Sequence, residues 1–210
     1  MTWIADMMVA LETVKRNPDG SIPTELYLQC LEKFTPVYDS LFSVQMVVKI
    51  LKNDIINGVA EVRKGAAAMG EKGASLSSLC THAVETSGVE AIRKSKDNGA
   101  KALLWLNRAS TFMTRLMRGL ADGLPPKEAA AKAYAEILKP YHGFMTSKVV
   151  GTAMGLVPSI EVICKKLEWA GMDDPGGKAE MDAFLALMEP LVAEVMALVE
   201  AHNLNFPDKV

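Results

Sequence analysis

An all-α fold is predicted by three observations. Apolar residues recur at three- and four-residue steps, strand-like alternation between hairpin turns is absent, and Pro- and Gly-containing stops fall at helix-length intervals. Half of the residues are hydrophobic but only 6% are aromatic, and Met occurs 13 times. With a mean hydropathy of +0.13, this composition belongs to an aliphatic globular chain rather than a disordered one. Met suits an adaptable apolar pocket and equally fills gaps in a helical core. At 210 residues the chain is large enough to bury a substantial core, and a single domain over 1–210 is expected.

Thr2 is positioned to cap a first helix through Lys15, which Asn17-Pro18-Asp19-Gly20 ends. Pro23 opens a second helix to about Phe34, with Pro36 as its stop. A long helix is expected from about Asp39 to Ala68, with Leu41, Val44, Val48, Leu51, Ile55 and Val62 mostly on one face. Gly70, Gly73, Ser75, Ser77 and Ser78 signal a loop before a shorter helix that holds Cys80 and Val84. Next comes a helix from about Asp97 to Ala121, punctuated by Gly123-Leu124-Pro125-Pro126, and then one from Lys127 to Lys139. Pro140 forces a boundary, after which His142 is expected to open a further helix. Pro158 and Ser159 precede a short helix ending near Trp169. Asp173 to Gly177 form a loop signal, and Lys178 to His202 a closing helix that Pro190 should kink.

The net charge of −2 and pI near 6.0 provide no basic stripe to neutralise phosphates, so nucleic acid is not an expected partner. Cys30, Cys80 and Cys164 are odd in number and lack metal-ligand spacing, which predicts reduced, buried thiols and neither a disulfide framework nor a metal site. The opening Met-Thr-Trp-Ile-Ala-Asp carries an acid where a signal peptide needs basic residues, and a cytoplasmic protein is expected. The apolar stretch from Val149 to Cys164 is interrupted by Gly151, Gly155, Pro158 and Glu161. It falls short of the roughly 20 apolar residues of a spanning helix, so membrane contact should be peripheral. No nucleophile elbow, metalloprotease, P-loop or dinucleotide motif occurs in a suitable context. No enzyme activity and no cofactor are therefore expected. A hydrolase built on Asp54 and His142, and a helical interaction module that extracts no lipid, are the competing classes.

Three residues stand out where a helical protein should bury aliphatic side chains: Asp54 in Lys-Asn-Asp-Ile-Ile-Asn, Trp105 in Leu-Leu-Trp-Leu-Asn-Arg, and His142 in Tyr-His-Gly-Phe. Each has an ordinary structural reading. Asp54 can be a solvated carboxylate paired with Lys52 or Lys49, Trp105 a core indole among leucines, and His142 a capping imidazole. If they converge, a carboxylate, an indole and an imidazole suit an amide-and-sugar headgroup, with the neighbouring aliphatic side chains holding hydrocarbon tails. That combination describes a lipid carrier.

These segments, together with Phe34-Thr35-Pro36-Val37-Tyr38-Asp39 and the ending Leu204-Asn205-Phe206 to Val210, resemble in order the glycolipid transfer protein family. The resemblance covers nearly the whole chain. It implies a two-layer all-α sandwich around an apolar pocket, acting as a monomer to move sphingolipids between membranes without chemistry. It assigns Asp54 to the ceramide amide N–H and first sugar, Trp105 to stacking on that sugar, and His142 to the amide carbonyl. Phe144 matches the position of a membrane-dipping Trp, and Phe206 lies near that of a site Tyr, whose hydroxyl it lacks.

The chain departs from the family pattern at two places. Gly58 replaces an Asn four residues after the aspartate, and Glu61 a basic residue seven after it, with Asn57 and Arg63 as neighbours at shifted positions. Asn57 and Lys101 join Asp54, Trp105 and His142 as headgroup-binding candidates, but a one-residue shift turns a helical side chain by about 100°, so Asn57 is not assigned the missing role itself. The ceramide-1-phosphate branch of the family carries Arg at the position of Trp105 and another four residues earlier, where this chain has Lys101. Lys101 shares a helix face with Trp105 and Arg108 and is equally open to solvation. The expected ligand is a monoglycosylceramide. Ceramide-1-phosphate transfer or a lipid-sensing interaction protein are the alternatives.

Overall fold

A computed structural model of the chain describes residues 2–209. Among them are eleven α-helices and no strand, the nearest approach being an isolated bridge between Pro23 and Ser75. Helix α1 spans Trp3–Thr13, with Thr2 accepting from the Ala5 N–H at 3.0 Å as its cap. Helix α2 spans Thr24–Phe34 behind Pro23. The expected long helix is instead two. After a short α3, Val37–Leu41, the backbone turns extended at Phe42, and α4 begins at Gln45 and runs to Met69. Phe42 is buried at the break, and its ring stacks on that of Tyr38 one turn earlier, at 6.2 Å and 20° between ring planes.

A 3₁₀ turn over Gly70–Gly73 leads to α5, Leu76–Ser87. Ser77 and Ser78 are helical here rather than loop, because Ser75 and Ser78 form a reciprocal capping box. Helix α6, Val89–Lys94, has no counterpart in the expectations above. Helix α7 spans Gly99–Ala121 under an Asn98 cap, and α8 spans Pro126–Ile137. A 3₁₀ turn over Lys139–Tyr141 follows, and α9 covers Phe144–Met154. His142 does not open that helix; it sits in extended backbone before Gly143, as the residue that ends the 3₁₀ turn containing Pro140. Helix α10 covers Ile160–Leu167.

The last helix, α11, covers Pro175–Ala201 with Asp174 as its cap and Pro175 in its first turn, so the Pro-Gly-Gly expected as loop is helical. Those glycines are used for approach: a Cβ on Gly177 would lie 2.2 Å from the Gly171 carbonyl. The Gly177 carbonyl itself accepts from the Trp169 indole at 2.8 Å. Helix α11 continues through Pro190, and both Pro190 and Ala186, whose carbonyl loses its donor, face solvent.

Packing centres on α7, which contacts α4, α8 and α11, while α1 joins α2 to α11 and α2 lies on α4. The buried apolar residues form one contiguous cluster. Cys30 and Cys80 are in it, with burial pushing both thiols up to about 12, whereas Cys164 is partly exposed, contrary to the expectation of three buried thiols. Helices α4 and α7 approach closely enough that a Cβ on Gly99 would lie 3.3 Å from the Glu61 carbonyl and 3.4 Å from the Gly65 Cα. Gly99→Val should therefore force the helices apart and lower the unfolding free energy by about 1–3 kcal/mol. Denaturant titration of variant and wild type measures this, with an unchanged midpoint contradicting the close approach.

Candidate functional site

Helix α4 supplies Asp54 and Asn57, α7 supplies Trp105, and the link before α9 supplies His142. All four line one cavity of about 380 Å³. Its remaining wall is mostly apolar, including Ile55, Leu106, Phe112, Leu138 and Val150. A few converging polar groups in an otherwise apolar concavity are the usual composition of a small-ligand site.

His142 is held from two sides. Its Nδ1 lies 3.1 Å from the hydroxyl of buried Tyr134, and its ring lies nearly parallel to the Trp105 indole, at 6.4 Å and 17°. In the tautomer protonated on Nε2, the Tyr134 hydroxyl donates to Nδ1 and leaves Nε2–H to donate elsewhere. Partial burial lowers the pKa of His142, favouring that neutral ring.

Asp54 reaches solvent at the cavity mouth, yet the protein around it raises its carboxyl pKa by desolvation. No ion pair forms on Asp54 among the described residues; Lys52 binds Asp39 instead, at 2.7 Å. Buried Tyr38 lies in the same wall, and its hydroxyl pKa is raised by burial first and by the Asp54 charge second. Gly58, also in the wall, sits where a Cβ would lie 2.8 Å from a Leu106 methyl. The tight α4–α7 contact thus accounts for a small residue there.

Other candidates lie outside this cavity. Lys101 donates from Nζ to the carbonyls of Arg93 and Ser95, each at 2.7 Å, and faces a separate groove of about 440 Å³. Phe206 is buried beside that groove. Arg63 is bound to Glu25 and Glu32 on α2, each at 2.9 Å, and does not supply the missing cation. Phe144 is 83% exposed at the start of α9, two residues before the wall residue Thr146.

Sequence reasoning did not single out Tyr134, Tyr141 or a role for Arg108. The Tyr141 ring meets Trp105 edge-on at 6.4 Å, and the Arg108 guanidinium lies 3.4 Å from the Tyr141 centroid. The one local signal for Arg108 was its place on the same helix face as Trp105.

The fold is all-α, and its cavity combines a mostly apolar wall with a few polar groups. The model of the Glycolipid transfer protein (GLTP) family matches residues 22–168, and the chain belongs to that family. Family members are non-enzymatic lipid transfer proteins. A relative, Pleckstrin homology domain-containing family A member 8 of Rattus norvegicus, is 24% identical over 216 residues. That alignment takes in 100% of this chain but 40% of the relative, so the chain spans about two fifths of the relative's length.

Among solved structures, one described as "How FAPP2 Selects Simple Glycosphingolipids Using the GLTP-fold" aligns at TM-score 0.85 and 24% identity, covering 100% of both chains. The apo form of mouse ceramide-1-phosphate transfer protein aligns at TM-score 0.84 and 17% identity, over 98% of this chain and 99% of that one. The two-layer all-α arrangement expected from the sequence is thus the fold observed.

Burial of His142 has a measurable consequence. Its folded pKa lies below the ordinary value of 6.5, so the unfolded chain takes up a proton first as the pH falls. The stability present above pH 6.5 should be lost as the pH drops from there towards the lower folded value. Chemical denaturation across this window should show a steeper loss in wild type than in His142→Asn. Parallel curves would contradict a desolvated neutral imidazole.

Proposed function

We propose that the chain binds a sphingolipid, preferentially a monoglycosylceramide, and carries it between membranes without altering it. The observation that carries this reading is the convergence of Asp54, Trp105 and His142 on one mostly apolar cavity. The Asp54 carboxylate accepts from the ceramide amide N–H and a sugar hydroxyl, while His142 donates Nε2–H to the amide carbonyl. An amide served at both its donor and its acceptor loses nothing when it leaves water. The Trp105 indole stacks on the apolar face of the sugar. Raised desolvation at Asp54 fits this role, because an unpaired carboxylate there gains from the donors a ligand brings.

The tails supply the main drive away from water, about 0.8 kcal/mol per buried methylene. Extraction from a bilayer exchanges one apolar environment for another, so the net change is small and transfer runs in both directions. Phe144 and Met145 are 83% and 75% exposed beside the cavity wall, as befits side chains that enter a bilayer surface. Docking through them keeps the association peripheral. Among the described residues no helix is long and apolar enough to cross a membrane.

Ceramide-1-phosphate is the second reading. Trp105 also borders the groove of about 440 Å³ that holds Arg93, Lys94, Lys101 and Lys209. Against it, Lys101 is engaged by two carbonyls and Arg93 by Asp208. An indole rather than a cation faces the headgroup position. Gly58 and Glu61 leave few contacts for outer sugars, which favours a simple headgroup over a complex one.

Vesicle-to-vesicle transfer of a fluorescent monoglycosylceramide should be accelerated by the protein and abolished by Asp54→Val, with helicity and melting nearly unchanged. Lack of acceleration with any sphingolipid, or unfolding of the variant, counts against the proposal. In direct competition monoglycosylceramide should outrun ceramide-1-phosphate. The reverse order, lost again in Lys101→Ala, would install the second reading. Phe144→Ala should weaken vesicle binding about tenfold or more, the scale of burying one large apolar side chain; unchanged co-sedimentation with vesicles would remove Phe144 from the docking face.

A further inference from the structure

We propose that Arg108 is a positioning residue for the headgroup site: it fixes the Trp105 and Tyr141 rings and couples them to the segment that follows α11. This rests on the reading of the cavity given above. Arg108 is 1% exposed, the only charged side chain among the buried polar residues described. It has no carboxylate partner among the described residues. Its Nη2 donates to the Asn205 Oδ1 at 2.8 Å and to the Phe206 carbonyl at 2.6 Å. Its Cζ lies 3.4 Å from the centroid of Tyr141 and 4.8 Å from that of Trp105. Nε and Nη1 have no hydrogen-bond partner among the described residues.

A buried cation without an anion is a costly way to fill a core, and apolar replacements of similar size are often neutral or stabilising. Stability therefore does not account for this residue. Its plane and permanent charge suit ring faces in a way that a lysine does not. One end of the guanidinium is tied to a segment that is itself anchored. Leu204 and Phe206 are buried, and Asp208 takes two hydrogen bonds from Arg93, at 2.7 and 2.9 Å. The guanidinium also lies against Trp105, whose indole runs nearly parallel to His142. Residues 97 positions apart thus determine how the indole is presented to a ligand.

The test uses the full chain and three variants, R108K, R108M and N205A. In lipid-free protein, the ¹H–¹⁵N indole resonance of Trp105 should shift and broaden in R108K and R108M, and shift less in N205A, while helicity is retained. Monoglycosylceramide transfer should fall about tenfold in the two Arg108 variants, the scale of one desolvated cation–π contact. An unchanged indole resonance overturns the proposal whatever happens to transfer. A shifted resonance with wild-type transfer reduces Arg108 to packing and also overturns it. Should R108M fail to fold, R108K and N205A decide by the same two readouts. If wild type itself transfers no sphingolipid, the proposed function fails, and the indole resonance still tests whether Arg108 sets the Trp105 ring.

Discussion

The burial of α7 against α4, α8 and α11 is the constraint on which the rest of the structure depends. A helix held chiefly by three others must present a particular side chain to each. Gly99 meets α4, Asn107 donates to the Val192 carbonyl of α11 at 3.1 Å, and Gly119 faces Ala129 of α8. With those contacts set, the rotation of α7 about its axis is fixed, and Trp105 lies where the cavity beside α4 and the groove beside α6 meet. The cavity is therefore a by-product of helix packing rather than a separately built feature. Its polar groups come from elements that α7 holds apart.

In the proposed function, the site divides its work between two kinds of force. Apolar burial is non-directional and scales with area, so it rewards any hydrocarbon tail. Selection falls to groups whose satisfaction depends on geometry. Asp54 and His142 are perturbed in opposite senses by the same cause: desolvation disfavours the charged form of each, raising one pKa and lowering the other. A ligand that brings a donor to Asp54 and an acceptor to His142 relieves both.

Much of this was legible in the sequence because it is local. Thr2 lies beside the residues it caps, and the face shared by Lys101, Trp105 and Arg108 follows from helical spacing. Asp54, Trp105 and His142 were conspicuous for being out of place among aliphatic neighbours, and the structure brings them together. What was missed depends on distant partners. The break at Phe42 buries that ring in a core drawn from the whole chain, and the setting of Arg108 needs Asn205 and Phe206. Lys101 looked like a free charge because its acceptors are backbone carbonyls, which no side-chain pattern reveals.

The central claim is that the cavity recognises an amide, with the sugar secondary. Native mass spectrometry of the protein after incubation with mixed vesicles tests it most directly, using a monoglycosylceramide and a monoglycosyl diacylglycerol that share sugar and chain lengths. The account predicts that the ceramide lipid is retained at unchanged mass and the diacylglycerol, which lacks the amide N–H, is not. Equal retention of the two would contradict it, since Asp54 and His142 would then contribute nothing to selection.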